Sequence, residues 1–471
     1  MYVGAQSGIY AVLLFVYLST HIRAQTVAME DVGYFWHVAD FHYDYQYSMR
    51  GDPTYYCHYW NETTAKDLGY YGDYECDSPM SLVVSAVQAM KANKPDVDFI
   101  VWTGDDAPHV PDAMVGEELM IEIIANLTQV ITDIFPDTRV YPAIANHDYD
   151  PSNQLPVQTS RQYNAIADAW SGWLNHDSDA VASLRKAAYY TTVMENDVRL
   201  IVPNTNLYYT SNKVTAGMPD PAGQFDWMEN TLEEAKRNNQ LVWILAHIPP
   251  GHPERSHSSP WFYEEFNERY IDIISQYADI IIGQFYAHHH TDHFKVLYND
   301  NGEPISSMLL APAVVPWRNK YVYNAEFGAN NPAVRLFKYQ RSTGKLLDIM
   351  QYIMNLSEAN QNNSPEWVLE YTATEAYSID DVTTESLHEL AESFKPENSE
   401  NFEKYNLYCS ASYDVTPCDE TCKQMQMCAI TNIRVSDYDA CMESTTSASS
   451  RASFNTITLF ITSFWFVVTI S

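Results

Sequence analysis

The stretch DIIIGQFYAHHH, Asp279–His290, opens on β-branched apolar residues and closes on three consecutive histidines. The apolar half has the composition of a strand buried on both faces, so its carboxyl end delivers side chains able to bind a metal. Four histidines stand between Gly283 and Phe294: His288, His289, His290 and His293. In an extended segment residues two apart share a side, which pairs His288 with His290. His289 then points away and His293 falls outside the pattern, and both read as solvent-facing or hydrogen-bonded.

Similar runs occur throughout the first two thirds of the chain: VGYFWHVAD (Val32–Asp40), DFIVWTGD (Asp98–Asp105), RVYPAIANHD (Arg139–Asp148), RLIVPNTN (Arg199–Asn206) and LVWILAH (Leu241–His247). Helical patterns such as SPMSLVVSAVQAMKAN (Ser78–Asn93) and AGQFDWMENTLEEAKRNN (Ala222–Asn239) lie between some of them, which predicts an α/β, layered architecture. Beyond about residue 345 the sequence turns polar and helix-leaning. In DDVTTESLHELAESF, Leu387, Leu390, Ala391 and Phe394 share one face.

Five runs end in ligand-type residues: Asp40 with His42, Asp105, Asn146 with His147, His247, and His288 with His290. In open α/β sheets such groups converge in a crevice at the carboxyl ends of the strands. Asp40, His42, Asp105, Asn146, His247, His288 and His290 offer carboxylate, carboxamide and imidazole donors without sulfur. That set suits zinc, manganese or iron and exceeds the needs of one tetrahedral ion; two ions sharing Asp105 would use all of it.

Composition excludes other classes. Lys+Arg 27 against Asp+Glu 61 gives 27 − 61 = −34, with no basic stripe, so a nucleic-acid polymer is not an expected partner. Hydrophobic content of 46% and aromatic content of 14% suffice for a large core. Residues 1–24 read as a signal peptide, with the apolar run Ile9–Ser19 followed by Ala24 at a cleavage position. Residues 444–471 run from small residues through a polar spacer into an apolar tail from Phe454. They read as the signal for a glycolipid (GPI) anchor, with an uncleaved tail anchor as the competing reading. Four glycosylation sequons, at Asn61, Asn126, Asn355 and Asn362, and cysteines grouped near the C-terminus agree with an extracytoplasmic protein, at the cell surface or alternatively extracellular or lysosomal.

The blocks ADFH, WTGDDAPH, ANHD, AHIPPG and GQFYAHHH, in this order, resemble the signature of the calcineurin-like metallophosphoesterases, and specifically the acid sphingomyelinase-like phosphodiesterases. The resemblance implies a metallophosphoesterase sandwich of central β-sheets flanked by helices, over residues 28–345. A small, disulfide-bonded helical C-terminal extension would follow over residues 346–443. One metal would be held by Asp40, His42 and His290 and the other by Asn146, His247 and His288, with Asp105 and a hydroxide bridging them; zinc is the expected ion. His147 would protonate the leaving alkoxide and His109 would hold or protonate the phosphate, both roles favouring mildly acidic conditions. Cys57 would pair with Cys76, Cys418 with Cys422 and Cys428 with Cys441, leaving Cys409 unpaired. The family usually carries glycine where this chain has Ala145 and Ala287, so a methyl group there could shift the ligand loops.

Substrate is left open between sphingomyelin-type lipids and choline or nucleotide phosphodiesters, with a catalytically weak surface interaction protein as the rival class. The interval from Ala24 to Asp40 has no room for a lipid-lifting saposin domain, although an anchor would hold the site at the outer leaflet. Tyr43, Tyr149, Tyr208, Phe285 and Tyr286 are candidates to stack on a base or a choline group, or to pack as core. A monomer is expected.

Overall fold

The computed structural model of the chain describes residues 29–255, 259–316 and 329–444. Two units separate, residues 1–32 and 33–471; the described part of the first is the 3-10 turn Met29–Asp31 and Val32. The expected leader, 1–24, lies outside the described residues, as does all of the expected anchor signal except Ser444.

The strands are β1 (Val32–Val38), β2 (Tyr47–Asp52), β3 (Phe99–Trp102), β4 (Arg139–Pro142), β5 (Tyr190–Val193), β6 (Arg199–Val202), β7 (Val242–Leu245), β8 (Ile281–Tyr286), β9 (His293–Tyr298), β10 (Pro304–Leu310), β11 (Ala333–Gln340), β12 (Leu346–Met354) and β13 (Trp367–Thr372). Twelve of them form two six-stranded sheets, ordered β13-β12-β11-β1-β3-β4 and β5-β6-β7-β8-β10-β9. β1, β3 and β4 are parallel neighbours in the first sheet, and β6, β7 and β8 in the second. Parallel pairing puts the carboxyl ends on one side of each sheet, and the ligand-bearing segments leave from those ends.

An aromatic seam joins the sheets. Phe35 of β1 stacks on Phe99 and Phe337 of its own sheet, each at 4.8 Å, and meets Trp243 at 5.2 Å and Phe285 at 5.5 Å from the other. Burying a side chain of this size stabilises by roughly 1.5–3 kcal/mol, and the tilted and edge-on contacts add to that. The runs read as strands buried on both faces are so because helices cover the outer faces. Met80–Asn93 and Asp112–Ile134 are among them, and both turn apolar residues into the core.

The C-terminal region departs from expectation. The boundary placed at 345/346 falls in the turn between β11 and β12, which pair antiparallel, and β13 continues the same sheet. LLDIMQYIM reads as helix or strand by composition; its pairing with β11 decides for strand. A short helix, Leu356–Asn362, links β12 to β13, and the remaining helices follow from Ala373, including Thr384–Phe394 with the apolar face read from sequence, Glu400–Tyr408 and Glu420–Thr431. The disulfides Cys57–Cys76, Cys418–Cys422 and Cys428–Cys441 are formed, and Cys409 is a buried free thiol.

Arg335 of β11 ties this region to the segment after β8. Fully buried, its guanidinium donates to Leu310 O (3.0 Å), to Gln351 Oε1 (3.0 Å) and to the carboxylate of Asp292, two residues beyond His290. Removing one partner of such a pair leaves an uncompensated charge in a low-dielectric setting. Arg335→Met is therefore expected to cost about 3–5 kcal/mol in chemical denaturation. A loss below about 1 kcal/mol, the range of an exposed pair, would show that this tie does not hold the region.

Candidate metal centre

Each expected ligand sits just past a strand: Asp40 and His42 after β1, Asp105 after β3, Asn146 after β4, His247 after β7, and His288 and His290 after β8. The structure brings all seven together. Asp40, His42, Asp105 and His290 form one group of mutually close donor atoms, and Asp105, His247 and His288 another, with Asp105 common to both. Asn146 joins the second through Oδ1, 2.9 Å from His247 Nε2 and 3.0 Å from His288 Nδ1.

The convergence has a different cause from the strand periodicity read in sequence. Asp40 (φ 53°), His42 (φ 41°), Asp105 (φ 71°), His288 (φ 79°) and His290 (φ 61°) are left-handed loop residues, so the two-residue spacing works through alternating loop conformation. Asp and His tolerate this region better than branched residues, but each instance needs support from its surroundings. Main-chain hydrogen bonds supply it. Asp40 N donates to Gly104 O (2.8 Å), His42 N to Asp105 O (2.9 Å) and Tyr43 N to Asp106 O (2.7 Å), zipping the first loop onto the second.

Asp148, unremarked in the sequence beyond its place after His147, braces the next loop. Its buried carboxylate accepts from the main-chain N–H groups of Ala145 (2.8 Å), Asp105 (3.2 Å) and Asp106 (2.8 Å). Gly104 (φ +72°) makes room, since a Cβ there would lie 2.4 Å from Asp148 Oδ2. Ala145 and Ala287, where the family pattern favours glycine, are outside the positive-φ set, and Ala287 packs with Ala39 and Ala311. Neither position needs the left-handed conformation that favours glycine; that strain falls on the candidate ligands themselves.

Hydrogen bonds fix which nitrogens face inward. His42 Nδ1 lies 2.8 Å from Ala107 O and His247 Nδ1 2.9 Å from Thr103 O. A carbonyl only accepts, so both Nδ1 atoms carry protons and both Nε2 atoms turn toward the centre. There they meet other acceptors. His42 Nε2 is 3.2 Å from His290 Nε2 and 3.1 Å from Asp105 Oδ2, and His247 Nε2 is 3.3 Å from the same oxygen. Among the described residues, neither oxygen of the fully buried Asp40 has a hydrogen-bond donor of ordinary geometry.

The proton affinities express the same demand for positive charge. Burial pushes Asp40 up to about 7. Burial lowers His42, but Asp105, Asp77 and Asp40 outweigh it and hold it up at about 9. Asp105 is driven well below its usual range, because His42, His247 and His147 overcome the opposing effect of burial. A donor set of two carboxylates, a carboxamide and four imidazoles, with buried oxygens left over, fits two divalent cations better than it fits protons.

His109 and His147 border this centre. His109 Nδ1 lies 2.7 Å from Asp77 Oδ1, while its main-chain N–H donates to Asp77 Oδ2 (2.7 Å) and its ring stacks on His42 at 3.8 Å. Burial raises Asp77 to about 7 and lowers His109 well below its usual range, which favours a pair sharing one proton. His147 donates its main-chain N–H to Asp105 Oδ1 (3.0 Å), and burial first of all pulls its imidazole down to about 4. His289 pairs with buried Glu254 (2.9 Å) and His293 with the Tyr405 hydroxyl, the hydrogen-bonded form of their expected bystander role.

Sequence reasoning missed Asp77, Asp148 and Glu254, which stand in no recurring pattern and are recognised only by what they touch. Of the aromatics left open between stacking and core packing, the structure assigns three to the core, and two that were not named stand at the site. Tyr208, Phe285 and Tyr286 are wholly buried in the core, whereas half-buried Tyr209 and Trp261 flank His288, with ring centroids at 5.1 and 4.5 Å. Tyr43 and Tyr149 are half-buried.

Comparison with known proteins agrees with this geometry. Residues 33–292 match the calcineurin-like phosphoesterase family and residues 303–448 the acid sphingomyelin phosphodiesterase C-terminal region. The chain is 43% identical to the human acid sphingomyelinase-like phosphodiesterase 3b over 88% of its length and 91% of the relative's. It is 42% identical to the human cyclic GMP-AMP phosphodiesterase, over 88% and 90%. With sphingomyelinase phosphodiesterase C of Dictyostelium discoideum it shares 33% identity over 92% and 97%. By these matches, the chain belongs to the acid sphingomyelinase-like phosphodiesterases of the calcineurin-like metallophosphoesterase family.

Proposed function

We propose that the protein is a cell-surface phosphodiesterase with two zinc ions, cleaving choline-type or nucleotide-type phosphodiesters. The observation that carries this reading is the sharing of Asp105 between two groups of buried imidazoles that cannot satisfy one another. Asp40, His42, Asp105 and His290 would hold one ion, and Asp105, Asn146, His247 and His288 the other. When bound, such ions polarise the phosphoryl oxygens and lower the pKa of an attacking water.

The chain's own residues do the rest. Asp105 Oδ1 holds the His147 main chain, and His147 Nδ1 has no hydrogen-bond partner among the described residues, which leaves the imidazole open to pass a proton to the departing alkoxide. Asp77 grips His109 at main chain and ring, aiming it beside His42, where it can steady the phosphoryl oxygens. Tyr209 and Trp261 form an aromatic wall beside His288, suited to a nucleobase or a quaternary ammonium group. This wall supports substrates with compact head groups, and relatives named for cyclic GMP-AMP and for sphingomyelin lie on either side of that choice. The apolar tail from Phe454 supports attachment to the outer leaflet.

Purified protein is expected to contain two metal ions per chain by elemental analysis and to lose hydrolysis of a chromogenic phosphodiester on chelation, regaining it with Zn2+. Activity that persists in metal-stripped protein would overturn the reading. His147→Ala is expected to lower kcat about 10²–10⁴-fold with the circular dichroism spectrum retained. Asp77→Asn should lower kcat more than it raises KM; an effect on KM alone would remove Asp77 from the orientation of His109. In a panel of sphingomyelin, CDP-choline, ATP and a cyclic dinucleotide, Trp261→Ala is expected to weaken the preferred substrate selectively. Loss of membrane association on treatment with a phosphatidylinositol-specific phospholipase would test the anchor separately.

A further inference from the structure

The segment from Tyr45 to Tyr70 is unusual in what it exposes. Half of the exposed large hydrophobic side chains in the described structure lie there, and within this segment Trp60 at 63% and Tyr59 at 52% are the most open. Trp60 leans on Tyr55 at 4.9 Å, its one ring neighbour among the described residues, and Tyr55 in turn packs edge-on to His58 at 6.0 Å. His58 bonds Asp44 at 2.7 Å, two residues past the ligand His42, so the loop continues into the first ligand loop. Large aromatic surfaces left in water within a few residues of one another call for a covering group.

Such a group can attach one residue away. Asn61 heads the sequon N-E-T, and it is half-buried, whereas the other sequon asparagines, Asn126, Asn355 and Asn362, are exposed. Its Oδ1 accepts from the main-chain N–H groups of Thr63 (2.9 Å) and Thr64 (3.2 Å), and its carbonyl from Ala65 N (3.1 Å), closing a tight turn. With Oδ1 engaged, the amide orientation is fixed and Nδ2 is the atom left for attachment. Arg50 and Tyr59 brace the same turn through Glu62, at 3.1 and 3.3 Å.

We propose that Asn61 carries an N-linked glycan whose first sugar lies on the Trp60–Tyr55 ledge, the apolar face of the pyranose covering the indole and fastening the 53–65 loop. The inference rests on the reading that the chain enters the secretory pathway, and it adds a fixed docking place for one of the sequons. Carbohydrate has the matching chemistry, since a sugar ring offers axial C–H groups on one face and hydroxyls at its rim, and a ledge of Trp and Tyr offers π-faces with polar edges.

The full chain made in a secreting eukaryotic cell tests this by glycopeptide mass spectrometry and thermal unfolding. Thr63→Ala removes the sequon while keeping both main-chain donors to Asn61, and Trp60→Ala removes the ledge while keeping the sequon. Occupancy is expected at Asn61, with Thr63→Ala lowering Tm by about 2 °C in the parent and by less than half as much in the Trp60→Ala background. Turnover of a soluble substrate should be unchanged in both. An unoccupied Asn61 beside occupied Asn126 would overturn the proposal alone, as would equal Tm shifts in the two backgrounds. Absence of glycan at every sequon together with a retained leader would overturn the secretory reading and the proposal with it.

Discussion

The fold is organised around a crowd of acceptors. Within a few ångströms, His42 Nε2, His290 Nε2, His247 Nε2 and the carboxylates of Asp40 and Asp105 confront one another in a largely desolvated site. Desolvated acceptors of this kind repel, and the chain alone can relieve them only by taking up protons, which is why Asp40 and His42 are pushed to about 7 and about 9. A cation resolves the conflict more fully. Until one binds, the scaffold must hold the ligands in place against their mutual repulsion, and much of the surrounding hydrogen bonding serves that end.

That scaffold works chiefly through main chain. Five of the seven ligands occupy left-handed conformations, and the loops that carry them are fastened by N–H to carbonyl bonds from one strand end to the next. Asp148 adds three more main-chain bonds from a single buried carboxylate. A ligand's direction is thereby set by backbone geometry, and its side chain needs little freedom to search. The arrangement also gives Gly104 its role, since Asp148 can reach both loops only where no Cβ intervenes.

The sequence disclosed this centre because strand ends are written locally. An apolar run followed by Asp, Asn or His is visible in a dozen residues, and five such endings imply a common crevice whatever the details. What was not legible depends on partners far away in the chain. Asp77 looks like any acidic residue after a cysteine until His109, 32 residues on, is placed against it. LLDIMQYIM becomes a strand only because β11 lies beside it, and the loop geometry of Asp40 and His42 imitates a strand's alternation closely enough that the two side chains meet as the spacing implied, for a different reason. The aromatic wall was missed for a related cause: Tyr208 and Tyr209 are adjacent, and sequence does not say which of the two faces the core.

The segment after β8 shows why the C-terminal region is bound up with the catalytic centre. It carries one ligand for each group, and the next residues are held from several directions. His289 meets Glu254, Thr291 bonds the same carboxylate, Asp292 receives Arg335 of β11 and the hydroxyl of Tyr371, and His293 meets Tyr405. Asp292 N also donates to Cys409 O at 3.1 Å. Arg335, Tyr371, Tyr405 and Cys409 all belong to the part matched by the C-terminal family region. Two imidazoles with left-handed backbones, facing other acceptors, would relax away from one another if their loop were free. The strands and helices after residue 333 deny them that freedom, so this region braces the one loop that serves both groups of the candidate metal site, and damage to its interior should be felt first as weakened metal binding.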